Sequence, residues 1–160
     1  MNRYLQLTTG ALGVVLVGAC SSTPASGGGG YKSATPTAPA SVAVAQSSLG
    51  PMLVGEHGRA LYLFEADTAG TSTCSGECAK EWPPLTTAGA PVAAAGVNAA
   101  LLATTTRSDG TVQVTFNGHP LYYYDDDEDA GPGSTKGQGE TKYGAKWYVL
   151  DPAGAKIDKD

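Results

Sequence analysis

The sequence has no apolar run long enough to cross a bilayer as a helix. The stretch from Ala11 to Val17 falls well short of the roughly 20 residues that a span requires. Charge is scarce as well. Asp, Glu, Lys and Arg make up 16% of the 160 residues, and acids outnumber bases by 15 to 10, for a net charge of -5. A basic face for nucleic acid is therefore excluded, and no nucleic-acid partner is expected. Cysteine is limited to three residues and histidine to two. No His-x-His or His-x-x-x-His spacing marks a metal site, and no G-x-S-x-G elbow marks a nucleophile. The glycine-rich stretch from Gly131 to Gly139 lacks the preceding strand, fixed spacing and helix of a phosphate-binding loop.

What is present begins with an export signal. Arg3 in a short N-region, the apolar run and the small residues Gly18 and Ala19 form a signal peptide over residues 1–19. Val17-Gly18-Ala19-Cys20 resembles a lipobox, in which the thiol is diacylated and cleavage leaves Cys20 as the new N-terminus. The expected result is an extracytoplasmic chain anchored to the bacterial cell membrane through diacylglyceride and palmitate on Cys20. Plain secretion is the alternative.

Residues 21–48 are almost wholly Ser, Thr, Ala, Gly and Pro, a composition that cannot bury enough apolar surface to offset the entropy of ordering it. Together with Cys20 they read as a disordered linker over 20–48. About 110 residues follow, enough for one small domain over 49–157.

That domain contains an internal repeat. Gly58-Arg59-Ala60-Leu61-Tyr62-Leu63-Phe64-Glu65-Ala66-Asp67 recurs as Gly118-His119-Pro120-Leu121-Tyr122-Tyr123-Tyr124-Asp125-Asp126-Asp127. Two related halves, about 49–85 and 101–152, are expected. In each, a Gly at a turn precedes a strand whose alternate residues face opposite ways. Leu61 and Leu63 oppose Tyr62 and Phe64, and Leu121 and Tyr123 oppose Tyr122 and Tyr124. With apolar residues on both faces, the strand is either covered on both sides or presents one face as an aromatic surface.

Asp109-Gly110 and Asn117-Gly118, between alternating runs, predict a three-stranded antiparallel meander over roughly 101–106, 111–116 and 119–124. A further strand is predicted at Lys146 to Leu150. Met52–Val54 and Ala60–Phe64 predict a hairpin about Glu56-His57-Gly58, and Ser75–Glu81 a helical turn stopped by Pro83-Pro84. The fold class is mainly β, a small antiparallel sandwich or barrel-like domain built from two hairpin or meander halves, with a short helical turn near the cysteine pair.

Tyr62-x-Phe64-x-x-Asp67 and Tyr122-x-Tyr124-x-x-Asp127 resemble the Yx(FWY)xxD motif of a bacterial lipoprotein family, also described as a secreted repeat of unknown function. Cys74 to Ala79, Trp82-Pro83-Pro84-Leu85, Asn117 to Tyr122, Gly137-Gln138-Gly139 and Trp147 resemble it too. The resemblance spans about Leu49 to Gly154 and implies a family without implying an activity.

The residues that can carry chemistry each have a structural reading beside the functional one. Tyr62, Phe64, Asp67, Trp82, Tyr122, Tyr124 and Asp127 are candidates to line a ligand pocket. Equally, the rings can pack in the core while the hydroxyls and carboxylates satisfy strand ends, which better explains a motif present twice. Cys74 and Cys78, with three residues between them, fit neither a redox CxxC nor a haem CxxCH. They read as a structural disulfide, worth on the order of 2 kcal/mol for so short a loop. Met52, His57 and His119 are conceivable metal or haem ligands, and surface-turn histidines otherwise.

In Asp125-Asp126-Asp127-Glu128-Asp129 a calcium loop would need Gly where Ala130 stands and Glu where Lys136 stands, so a solvated acidic turn is expected. No catalytic residue and no cofactor is assigned. The expected role is non-enzymatic, with an extracytoplasmic ligand or envelope protein as partner. A metal, haem or electron-transfer lipoprotein and an envelope-polymer enzyme are the alternatives.

Overall fold

The turns reverse the chain where the sequence permits left-handed backbone. Asn117 (φ 48°) and Gly118 (φ 80°) form the two-residue loop of a tight hairpin, and His57 (φ 56°) with Gly58 (φ 72°) repeats the left-handed pair in the first half. The computed structural model describes residues 35–159. The expected signal peptide, Cys20 and the linker as far as residue 34 lie outside the described residues.

The strands are β1 (Ser41–Ser47), β2 (Gly50–Val54), β3 (Tyr62–Phe64), β4 (Val92–Ala93), β5 (Leu102–Thr106), β6 (Val112–Phe116), β7 (His119–Pro120), β8 (Thr141–Lys142) and β9 (Ala145–Val149). Among the described residues one short α-helix, α1 (Glu77–Glu81), follows Gly76. Three small sheets have the orders β2-β1-β4, β3-β9-β8 and β5-β6-β7. Among the described residues all strand pairings are antiparallel except β1 with β4, and no sheet closes into a barrel. The domain is mainly β, as the alternation predicts, with α1 carrying one cysteine of the Cys74–Cys78 disulfide.

Single bridges stitch these sheets together. Tyr62 pairs with Tyr122, Pro84 with Tyr122, Thr86 with Gln113 and Val54 with Ala60. The meander expected over 101–124 forms as β5-β6-β7, but its last strand stops at Pro120. Beyond that point Tyr122 leaves β6 and bonds Tyr62 instead. The hairpin expected between Met52–Val54 and Ala60–Phe64 survives as the Val54–Ala60 bridge and the Leu61 N–H bond to Leu53 O. The principal partner of β2 is β1.

That pairing corrects the linker boundary at residue 48. Residues 41–47 form a strand, and Val42 is completely buried. Val42 and Val44 alternate among residues too small to signal a strand by composition. Ala43 and Ala45, read as linker, pack against the core beside β2.

Both faces of each aromatic strand are covered. Tyr62, Phe64, Tyr122 and Tyr124 face one cluster with Met52, Val54, Trp82, Trp147 and Val149. Leu61, Leu63, Leu121 and Tyr123 face another with Val42, Leu53, Leu85, Val114, Phe116, Tyr148 and Leu150. The period of two thus separates two cores, and no exposed aromatic surface remains on these strands. Fully burying a side chain of this size contributes roughly 1.5–3 kcal/mol, so the two-sided strands dominate the stabilisation.

Gly55 is fixed by contact and not by φ, which is -105°. A Cβ there would lie 2.2 Å from Tyr123 Oη, which accepts the Glu56 N–H at 3.0 Å. Gly55→Ala is expected to destabilise the fold by about 1–3 kcal/mol through overpacking, measured by denaturant unfolding. Gly55→Ala combined with Tyr123→Phe should regain part of that loss.

Candidate functional site: the aromatic cluster between the repeats

Each motif has a Tyr near its start and an Asp five residues on, and the fold bonds each Tyr to the Asp of the other repeat. Tyr62 Oη donates to Asp127 Oδ2 at 2.5 Å, and Tyr122 Oη donates to Asp67 Oδ2 at 2.6 Å. The backbones match this reciprocity. Tyr62 N–H donates to Tyr122 O at 2.9 Å, and Tyr122 N–H donates to Tyr62 O at 3.0 Å. A local pseudo-two-fold axis therefore passes between the two tyrosines.

Each Asp is held in turn by the segment that follows it. Asp67 N–H bonds Phe64 O and Asp127 N–H bonds Tyr124 O, the same turn in both repeats. Asp67 Oδ1 accepts from Thr73 N–H and Oγ1 at 2.7 and 2.9 Å. Asp127 Oδ1 accepts from Ser134 Oγ at 2.6 Å and Lys136 N–H at 2.9 Å. Asp127 is only 2% exposed, and both of its carboxylate oxygens accept hydrogen bonds, as a buried polar group requires.

The aromatic rings obey the same axis. Trp82 and Trp147 stack at 4.0 Å and 7° on the axis itself. Phe64 stacks on Trp147 at 4.1 Å, and Tyr124 stacks on Trp82 at 4.2 Å, giving a column of four rings. Tyr62 meets Trp82 edge-on at 5.4 Å, and Tyr122 meets Trp147 edge-on at 5.2 Å. Such pairs add roughly 0.5–1.5 kcal/mol each beyond their buried area. Gly137 fits beneath this column because it lacks a side chain. A Cβ there would lie 2.6 Å from Trp82 Cη2, and its N–H donates to Tyr62 Oη at 3.3 Å.

One asymmetric element ties the disulfide to the first carboxylate. Arg107 is buried, and its guanidinium donates to Ser72 Oγ, Gln113 Oε1 and Cys74 O at 2.7, 2.7 and 2.6 Å. Ser72 Oγ lies 2.7 Å from Tyr122 Oη, and Gln113 Nε2 donates to Leu121 O. Its charge is offset by Asp109, whose Oδ2 is 3.6 Å from Nε.

Of the seven sequence-predicted binding residues, all but half-buried Asp67 are buried, and the structure brings all seven into this cluster. Two surface clefts lie near the cluster, and the second shares Phe64 and Asp67 with it. One, of about 360 Å³, is lined by residues including Glu56, His57, Arg59, Pro83, Pro84 and Tyr123. The other, of about 440 Å³, is lined by Leu63, Phe64, Glu65, Asp67, His119 and Lys156. His57 and His119 thus line separate clefts, while Met52 is buried in the first core cluster.

In the acidic run, Asp127 turns inward to Tyr62, and Asp126 accepts from Tyr124 Oη. Among the described residues no group of three or more His, Cys, Asp or Glu side chains converges as a metal site would, and no helix is long and apolar enough to cross a membrane.

Sequence reasoning missed Trp147 as the counterpart of Trp82, and it missed the buried Arg107–Gln113 pair. Trp82-x-x-Leu85 recurs as Trp147-x-x-Leu150, but at different distances from the two motifs, which hides the correspondence. Arg107 and Gln113 carry no sequence signal that separates them from solvated polar residues.

The family model described as a secreted repeat of unknown function matches the chain twice, over residues 43–86 and 103–151. Each match contains one aromatic Tyr strand, the Asp that closes its motif and one Trp segment. Comparison with curated proteins and with solved structures gave no match.

Burial, and then the charge of the partner Asp, raise the Tyr62 and Tyr122 phenols above their ordinary value near 10. The folded protein therefore holds both protons more tightly than the unfolded chain. Their contribution is complete below the unfolded-state pKa and is lost as pH rises towards the folded-state values, at about 1.4 kcal/mol per pH unit for each tyrosine. Stability is expected to fall steeply above about pH 10, with a shallower slope in Tyr62→Phe/Tyr122→Phe, as read from denaturation midpoints across alkaline pH.

Proposed function

Because the chain belongs to the family of secreted repeats of unknown function, we propose that it is a lipid-anchored extracytoplasmic domain with a non-enzymatic role. In this reading it binds an envelope component or contributes to envelope structure. The observation that carries it is the reciprocal Tyr–Asp pairing. The first Tyr and the Asp of each motif join one repeat to the other, so the motif recurs because the fold needs it twice. What the chain presents outward is its turns and the two clefts, a surface suited to binding.

Placement outside the cytoplasm agrees with the secreted-repeat description, with the Cys74–Cys78 disulfide and with the signal-like N-terminus. The lipid is the finer part of the proposal. It is supported by Val17-Gly18-Ala19-Cys20 and by the Ser-, Thr-, Gly- and Pro-rich residues that follow, which suit a spacer between membrane and domain. Two acyl signals on one cysteine suffice for stable anchoring, whereas a single chain gives only marginal binding.

Mass spectrometry of the protein recovered from the membrane fraction tests this. The expected mature chain begins at Cys20 and carries diacylglyceride and palmitate, and Cys20→Ser should abolish acylation and leave the precursor uncut. A mature chain with residue 20 unmodified, recovered free in the medium, would contradict the proposal.

A further inference from the structure

The pairing pattern of the two repeats is crossed. The Trp segment of the first repeat lies against the aromatic strand of the second: Pro84 bridges Tyr122, Leu85 N–H donates to Leu121 O, and Tyr123 N–H donates to Pro83 O. The Trp segment of the second repeat lies against the aromatic strand of the first, with Tyr62 opposite Val149, Leu63 opposite Tyr148 and Phe64 opposite Trp147. Neither repeat supplies both edges of its own aromatic strand. Each Tyr also lacks its carboxylate without the other repeat.

The covalent link between the repeats is a weakly held turn. Residues 88–94 stay with the first repeat, since Ala88, Val92 and Ala94 N–H groups donate to Ala38, Ala40 and Val42 carbonyls. Leu101 O accepts from Asn117 N–H and so belongs with the second. Between them, residues 95–100 are exposed apart from half-buried Val97. Their hydrogen bonds are local: Val97 N–H to Ala94 O, Ala100 N–H to Asn98 Oδ1, and Asn98 O from Leu101 N–H. Extended, six residues reach roughly 20 Å, enough to carry the second repeat away from the first.

We infer that the partner fitted by the repeat interface is a second copy of this chain, with the two copies exchanging repeats across residues 95–100 into a closed two-fold dimer. Each half of the dimer then contains the first repeat of one copy and the second repeat of the other. Every crossed contact is re-formed between chains, so the opposing terms are the opening of the turn and the entropy of association, which high protein concentration offsets. The pseudo-two-fold axis within one copy is what makes the complementary surfaces available, and each dimer presents both clefts twice.

Co-refolding of two full-length variants, Trp82→Phe and Trp147→Phe, tests the inference at high protein concentration. Alone, neither variant can stack Trp82 on Trp147, so neither gives the exciton couplet of that pair in circular dichroism. Mixed, an exchanged heterodimer has one half with Trp82 from one copy and Trp147 from the other. The expected result is a species at twice the chain mass and a couplet of about a quarter of the wild-type amplitude for random pairing. A mixture that stays monomeric and shows no couplet overturns the inference.

Deletion of residues 96–99 is the second arm, because it removes the turn closed by the Val97–Ala94 and Leu101–Asn98 hydrogen bonds and so favours exchange over folding back. That chain is expected to run at twice the chain mass with the wild-type couplet, and a folded monomer would again overturn the inference. Should the shortened chain not fold, the co-refolding result decides.

Discussion

The structure depends on one reciprocal constraint: the tyrosine of each repeat donates its phenolic proton to the carboxylate of the other. Ring stacking supplies more of the stabilisation, since six buried aromatic side chains outweigh two hydrogen bonds worth roughly 1.5–3 kcal/mol each. The hydrogen bonds fix something the rings cannot. A buried phenol or carboxylate left without its partner is penalised severely, so alternative registers of the Tyr62–Tyr122 pair are excluded. Packing makes the cluster stable, and the crossed pairs make it unique.

Several other features follow from that constraint. The Trp segments must cross between repeats to cover the aromatic strands, which places Trp82 against Trp147 on the axis. Gly137 must lack a side chain so that its backbone can pass beneath Trp82. The segments after the two Asp residues must curl inward to hold the carboxylates. In the second repeat Ser134 and Lys136 do this directly. In the first, Thr73 does so, and the adjacent Cys74 is braced both by the disulfide and by Arg107. The disulfide thus shapes the loop that presents an Asp to the other repeat.

Much of this was legible in the residues and some was not. Alternation along 61–64 and 121–124 separated the two faces but left open whether one of them met solvent, and the structure buries both. Asn117-Gly118 located the tight hairpin through its backbone preference. β1 was hidden by its small side chains, which resemble a linker until Val42 is seen against Leu53 and Leu85. The seven candidate residues do gather at one place, but sequence could not say that they would face each other and not a ligand. Crossing is a property of topology, and identical motifs give no sign of whether a Tyr pairs within its own repeat or with the other.

That crossing also bears on function. Arg59 and His119 occupy equivalent positions in the two repeats but line different clefts. The most direct measurement is a pair of double-mutant cycles, one joining Tyr62→Phe with Asp127→Asn and the other joining Tyr62→Phe with Asp67→Asn. Coupling of about 1–3 kcal/mol is expected for Tyr62 with Asp127, with coupling close to zero for Tyr62 with Asp67. Coupling confined to Tyr62 and Asp67 would contradict the crossed architecture.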